Sequence, residues 1–265
     1  MLRLFAALLL GAAASSPHAP QASSANVQRV LFIGNSLTFA NDLPGLVSAL
    51  SNASAGPRIQ CRSVAFPDFS LEDHWNRGAA LKAIREGGWS VVVLQQGPSA
   101  LPESRVLLTQ YTKKFDAEIR RVGATTALYM VWPSMERRAD FEGVKTSYAA
   151  AAREVGGLLF PVGEAWRAAW RRDSHVELYG PDGFHPTPMA SYLAALVIYQ
   201  RLSGRSPVGL PGTVTSTSAG SSPVVIPPAR AALLQEAAAE ANLAAETKGA
   251  ATPRREGEVI RSGAY

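Results

Sequence analysis

The 265-residue sequence contains a single cysteine, Cys61, and only four histidines. A disulfide within the chain is therefore excluded, and the fold must be stabilised by its hydrophobic core. Apart from His18, the histidines are His74, His175 and His185, and their spacing does not match paired metal ligands. No glycine-rich phosphate loop occurs either. We therefore expect no metal and no cofactor.

The chain also has little excess charge. It carries 26 lysines and arginines against 21 aspartates and glutamates, a formal net charge of +5. No basic stripe is interleaved with aromatic residues, so a nucleic-acid partner is not expected. Apolar residues make up 47% of the chain, which is enough for a sizeable core, and the length suits one large domain better than two.

The N-terminus has no apolar run long enough to span a bilayer. Met1–Arg3 gives a short positive start, residues 4–14 are apolar, and small residues follow, with Ala19 or Ala22 before a possible cleavage point. No cysteine lies at the end of that run, so a lipid anchor is not indicated and a stable membrane anchor is not expected. The pattern predicts a signal peptide over residues 1–22 and a secreted or periplasmic protein; nothing amphipathic supports the alternative of a buried N-terminal helix.

Short apolar segments alternate with helical patterns along most of the chain. Strands are predicted at residues 28–34, 58–65, 89–94, 125–132 and 158–162. Helices are predicted from about residue 43 and over residues 70–86, 102–122, 139–155, 164–172 and 188–202. This alternation predicts an α/β fold of three α/β/α layers, with a central parallel sheet of about five strands and ligands at its carboxyl edge.

The predicted domain covers residues 26–204. Residues 205–246 contain a linker rich in glycine, serine, threonine and proline, followed by an alanine-rich helix. Residues 247–265 are predicted to be a disordered tail. The sequence contains no internal repeat.

Two short motifs carry the chemistry. Gly34-Asn35-Ser36 follows the first predicted strand, and Asp182-Gly183-Phe184-His185 lies in a loop before the last core helix. A serine hydroxyl is a weak nucleophile unless a histidine takes its proton and a carboxylate orients that histidine. Each motif also has a plain structural interpretation, since serine caps helices and aspartate forms turns.

These motifs, in this order and in these places, resemble the first and last blocks of the SGNH/GDSL hydrolase superfamily, with Asn35 where aspartate is usual. The resemblance covers about residues 28–202 and implies a flavodoxin-like SGNH hydrolase fold. It also implies that Ser36 is the nucleophile, His185 the general base and Asp182 the residue that orients it. His175, in a polar stretch, is expected to be at the surface.

The middle blocks of that superfamily are less well matched. Its second block supplies a glycine N–H to the oxyanion hole, whereas residues 65–70 contain no glycine, so a main-chain N–H of Asp68 or Phe69 would have to serve. Its third block supplies an asparagine side chain, and Gln95 occupies that place here, as in a bacterial branch of the superfamily. Gln96 is the second candidate, and both could equally be polar loop residues.

Aromatic side chains are expected near the site. Trp132, Phe66, Phe69, Trp75 and Phe184 could line it, although core packing is the more common fate of any one of them. His74 is expected to pack within its helix or to contact substrate. The substrate is expected to be a small molecule or a glycan ester.

The resemblance implies a secreted serine esterase of the SGNH/GDSL type that acts through an acyl-enzyme on small O-acyl esters, acetyl esters of carbohydrates first among them. Lysophospholipids and thioesters are alternative substrates. A different class of protein also fits, namely a weakly active or inactive carbohydrate-binding protein of the same fold.

Overall fold

The computed structural model describes residues 27–218 and 220–250, with side chains described as far as residue 247. The predicted signal peptide over residues 1–22 lies outside the described residues. The same is true of the predicted tail beyond residue 250. Residues 247–250, which were assigned to that tail, form the last turn of the final helix.

A five-stranded parallel sheet forms the centre of the molecule, as predicted. Its strands run in the order β2-β1-β3-β4-β5, so the order reverses at β1, and the carboxyl ends of β1, β2 and β3 meet at one edge. β1 and β3 are buried because β-branched and other apolar side chains fill both faces. The strands are β1 (Gln28–Gly34), β2 (Ile59–Ala65), β3 (Val91–Leu94), β4 (Thr125–Tyr129) and β5 (Leu158–Phe160).

Nine α-helices lie within the described residues. They are α1 (Ser36–Phe39), α2 (Leu43–Asn52), α3 (Leu71–Arg77), α4 (Ala79–Arg85), α5 (Pro102–Arg121), α6 (Phe141–Glu154), α7 (Val162–Arg172), α8 (Pro188–Ser203) and α9 (Pro228–Ala250). The single helix predicted over residues 70–86 is two helices, because Gly78 takes a left-handed φ of +80° and ends α3.

The helices form two layers around the sheet. Helices α3 to α6 pack together on one face, and α2, α7 and α8 pack on the other, which gives the predicted α/β/α architecture. Helix α8 is almost wholly buried because α9 covers α7 and α8, with Leu234, Ala237 and Ala238 of α9 fully buried.

The predicted linker contains a small antiparallel hairpin, β6 (Thr213–Val214) with β7 (Val224–Val225). In the described part of the chain, no helix combines the length and hydropathy that crossing a membrane requires.

Candidate active site

Ser36 lies two residues after the end of β1, at the first position of the one-turn helix α1. Asn35 caps that helix, and its side-chain Oδ1 accepts a hydrogen bond from Leu37 N at 3.1 Å. Gly34 leaves room for this sharp turn, since a Cβ there would lie 2.3 Å from both Gln95 Oε1 and Thr38 Oγ1. The strand therefore ends with the serine at the carboxyl edge of the sheet.

The loop with Asp182 and His185 is held mainly by main-chain hydrogen bonds. Gly180 N donates to His185 O at 2.7 Å, and Met135 N donates to Gly183 O at 2.8 Å. Gly183 has a φ of +68°, which suits a glycine. Asp182 Oδ1 accepts from His185 N at 2.9 Å, so the carboxylate is fixed beside its own loop.

The structure brings Ser36, His185 and Asp182 together. His185 Nε2 lies 2.8 Å from Ser36 Oγ, and His185 Nδ1 lies 2.5 Å from Asp182 Oδ2. The hydrogen bond from His185, followed by those from the N–H groups of Phe184 and His185, lowers the pKa of Asp182 to about 2. Because this carboxylate only accepts, the proton sits on Nδ1, and Nε2 is free to take the serine proton.

Main-chain N–H groups are available beside Ser36. Asp68, in the loop after β2, has a left-handed φ of +59°, the conformation that usually favours glycine. In the described part of the chain, neither Ser36 N nor Asp68 N donates a hydrogen bond, whereas Phe69 N donates to Phe66 O. Asp68 and Phe69 both line the same cavity as Ser36, and because Phe69 N is already paired, Asp68 N is the donor that remains available for an oxyanion.

Gln95 does not line this cavity. Its side chain is fully buried beneath the Ser36 loop, and its amide hydrogens are donated to Asn35 Oδ1 at 2.9 Å and Gln96 O at 2.7 Å. In this arrangement Gln95 has no N–H left for an oxyanion, which contradicts the role expected from the third block.

Gln96 lines the cavity, but its side chain is also paired. Its Nε2 donates to Ser99 Oγ at 2.8 Å and to Ser104 O at 3.3 Å, while its Oε1 accepts from Leu71 N. These contacts hold the loop after β3 against the start of α3. Gln96 thus offers no unpaired donor here either.

His74 is fully buried and does not line the cavity, which fits the packing alternative of the prediction rather than a substrate contact. Its Nε2 lies 2.7 Å from Gly34 O, which can only accept, so the ring carries its proton on Nε2. Burial is the main cause that lowers the pKa of His74. The neutral ring packs against Phe66 and Phe69 and supports the end of β1.

Trp132 is also buried rather than a lining residue. Its indole stacks on Trp166 with ring centroids 3.8 Å apart, and its Nε1 donates to Phe184 O at 2.9 Å. Trp132 therefore supports the His185 loop from below. Of the other predicted lining aromatics, Phe69 and Phe184 face the cavity, whereas Trp75 packs edge-on against Phe115.

Replacing Trp132 by phenylalanine is expected to lower kcat about fivefold, because the hydrogen bond that holds the Phe184 carbonyl is worth about 1 kcal/mol. KM should change little. Trp89→Phe is the matched control: Trp89 Nε1 donates to Ala83 O at 2.8 Å, before β3 and far from the loop. Steady-state kinetics of both variants check this, and equal kcat values would contradict the role of Trp132.

The cavity beside Ser36 has a volume of about 470 Å³. Apolar and polar side chains both line it, so it can hold an acyl group together with a hydroxyl-bearing one. Its lining includes Phe69, Leu101, Phe184, Ser134, Arg137 and Asp140. Arg137 forms an ion pair with Asp140 at this wall. Within the described residues, no cluster of histidine, cysteine or acidic side chains is arranged to hold a metal ion.

Sequence reasoning missed two groups of site residues. Asn41 Nδ2 donates to Pro186 O at 3.0 Å and to Ser191 Oγ at 2.9 Å. These bonds connect the turn that follows α1 to the residue after His185. Its φ of +52°, which asparagine tolerates, is not visible in the sequence. Arg137 and Asp140 were missed because they lie in a short 3₁₀ turn with no recognisable pattern.

Solved structures provide the informative comparison, since no protein-family model and no curated protein matches the chain. A protein of Slackia heliotrinireducens that has been proposed to be an SGNH hydrolase is 29% identical to this chain. The TM-score is 0.58, and the match covers 67% of this chain and all of that one. A DUF4886 family protein of Bacteroides uniformis is 19% identical, with a TM-score of 0.65 over 82% of this chain and 95% of that one.

A lipase/acylhydrolase of Enterococcus faecalis shares the fold at 14% identity, with a TM-score of 0.54 over 72% of this chain and all of that one. At identities of 19% and 14%, the similarities to the second and third structures show the fold alone. The first is closer in sequence and spans the whole of its relative. With the sheet order and the two motifs at its carboxyl edge, these findings confirm the predicted resemblance to the SGNH/GDSL hydrolase superfamily.

Proposed function

We propose that this protein is a serine esterase that hydrolyses small O-acyl esters through an acyl-enzyme formed on Ser36. One observation carries the proposal: Ser36 Oγ lies 2.8 Å from His185 Nε2, with Asp182 bound to the other ring nitrogen. A positioned base of this kind is what a serine hydroxyl needs to attack an ester.

The proposed reaction has two steps. Ser36 Oγ attacks the ester carbonyl carbon while its proton passes to His185 Nε2, and the negative oxygen is bound by Ser36 N and Asp68 N. The alcohol then leaves with the proton from His185, and Ser36 keeps the acyl group. A water molecule, deprotonated by His185, attacks that acyl group, and His185 returns the proton to Ser36 Oγ as the acid is released.

The cavity supports small esters of hydroxyl-rich alcohols. Phe69 and Phe184 offer apolar faces for a sugar ring or an acyl group, and Ser134, Arg137 and Asp140 offer hydrogen bonds to hydroxyl groups. Acetyl esters of carbohydrates are therefore the first substrates to test. Secretion is part of the proposal and is supported by the apolar N-terminal run of the sequence.

A longer acyl chain is the second candidate substrate. Three exposed apolar side chains belong to segments around the site: Leu101 in the cavity wall, Met135 beside Ser134, and Phe39 three residues after Ser36. Apolar side chains at the mouth would suit a lysophospholipid or a thioester.

A series of p-nitrophenyl esters from acetate to octanoate, followed by acetylated sugars, tests the proposal. We expect turnover to be highest for esters with short acyl chains. We also expect an aryl phosphonate to inactivate the enzyme by modifying the peptide that contains Ser36. A maximum at octanoate would favour the second candidate. Absence of both turnover and labelling, with binding of glycans, would overturn the esterase in favour of a carbohydrate-binding protein.

A further inference from the structure

Gln95 makes contacts that an oxyanion donor would not need. Resting on the esterase function above, we propose that Gln95 is a positioning residue that fixes the Ser36 loop. It follows that the oxyanion is bound by main-chain N–H groups without help from a side-chain carboxamide.

The Gln95 carboxamide makes four hydrogen bonds and has no exposed surface. Its Oε1 accepts from Asn35 N at 2.9 Å and from Thr38 Oγ1 at 2.7 Å, on the two sides of Ser36. Its Nε2 donates to Asn35 Oδ1 at 2.9 Å and to Gln96 O at 2.7 Å. One side chain therefore holds the residues before and after the nucleophile.

Main-chain groups determine which way this carboxamide faces. Asn35 N can only donate, so Oε1 must face it, and Gln96 O can only accept, so Nε2 must face that. Turning the side chain toward the cavity would break all four bonds. The buried N–H of Asn35 and the buried carbonyl of Gln96 would then lose these partners, which opposes the movement.

Asn35 completes the same network. Its Oδ1 accepts from Leu37 N and from Gln95 Nε2, while its Nδ2 donates to Phe69 O at 3.1 Å. An aspartate could not make that last bond, which gives a physical reason for asparagine at this position. Through Phe69 the network also reaches the loop that carries Asp68, so both proposed oxyanion donors depend on it.

The test removes hydrogen bonds of this network with two substitutions. Gln95→Met keeps the size of the side chain and removes all four hydrogen bonds, and Thr38→Val removes only the hydroxyl that donates to Gln95 Oε1. We expect kcat on p-nitrophenyl acetate to fall about 100-fold in Gln95→Met, as for a nucleophile displaced by about 1 Å, and about fivefold in Thr38→Val. KM should change little, and the double variant should match Gln95→Met.

Gln235→Met is the matched control. Gln235 is a buried glutamine whose Oε1 accepts from Gly209 N and whose Nε2 donates to Leu210 O and Tyr192 OH, away from the site. Its replacement should lower thermal stability and leave kcat per phosphonate-titrated site unchanged. This separates a positioning role from a loss of stability.

Two results would overturn the inference. If Thr38→Val leaves kcat unchanged, or lowers it by a factor that adds independently to that of Gln95→Met, Gln95 acts in another way, for instance as a donor after rotation. If Gln95→Met also keeps the wild-type kcat, the loop does not need Gln95. A failure of the esterase proposal looks different, because then Ser36→Ala would hydrolyse the ester as fast as the wild type.

Discussion

Ser36→Ala is expected to lower kcat for a short p-nitrophenyl ester by about 10⁶-fold, to a small residual rate. Without the hydroxyl no acyl-enzyme can form, and only the main-chain N–H groups and the binding cavity remain to assist water. KM should change little, since the serine hydroxyl takes little part in binding. Steady-state kinetics, together with the loss of phosphonate labelling, check this result.

Ser147→Ala is the matched control for that variant. Ser147 is buried on α6, where its Oγ donates to Gly143 O at 2.8 Å, and it takes no part in the site. Its kcat should equal that of the wild type. A Ser36→Ala enzyme that kept more than about a hundredth of the wild-type kcat would show that another group attacks the ester.

Asp182→Asn is expected to lower kcat about 10⁴-fold with the loop intact. The amide oxygen can still accept from the N–H groups of Phe184 and His185, so its NH₂ group faces His185 Nδ1. That nitrogen must then accept, the ring proton moves to Nε2, and the ring can no longer take the proton of Ser36. Kinetics at pH 7 measure the loss.

Stability at low pH gives Asp182→Asn a second readout. The pKa of Asp182 is lowered from 3.8 to about 2, so its carboxylate stabilises the fold above pH 3.8 and loses that effect as the pH falls toward 2. The variant should lack this part of the acid dependence. Its size is small, because the Asp182 side chain is half exposed.

The chain offers a close control for this substitution. Asp173 Oδ1 accepts from His175 N at 2.8 Å and lies 3.3 Å from His175 Nδ1, at the surface beyond α7. Asp173→Asn should therefore keep the wild-type kcat. If Asp182→Asn lost no more activity than Asp173→Asn, the carboxylate would have no role in orienting His185.

The fold and the superfamily could be predicted from the sequence because both depend on local patterns. The bounds of β1 follow from a run of apolar, β-branched residues that ends at Gly34, and the structure has the same bounds. The contact between Asp182 and His185 is also local in sequence. The N–H groups of Phe184 and His185 both donate to Asp182 Oδ1, which closes a turn of three residues. Such features need no knowledge of distant contacts.

The direction of a side chain that follows a strand could not be predicted in this way. Gln95 and Trp132 both follow buried strands, yet both turn inward, because their partners on the Ser36 and His185 loops are distant in sequence. The partner of His74 could not be predicted for the same reason, since the Gly34 carbonyl that its ring contacts lies 40 positions away. The break at Gly78 was missed because a lone glycine is tolerated in many helices.

The packing of α9 over α8 has a consequence for biosynthesis. Ser36 leaves the ribosome 149 residues before His185, which at the usual rates of synthesis is roughly 7 to 30 s earlier. The apolar surface of α8 stays open longer still, until Leu234 and Ala238 of α9 arrive. The nascent chain must therefore carry the exposed apolar surface of α8 until α9 has been synthesised and packs over it.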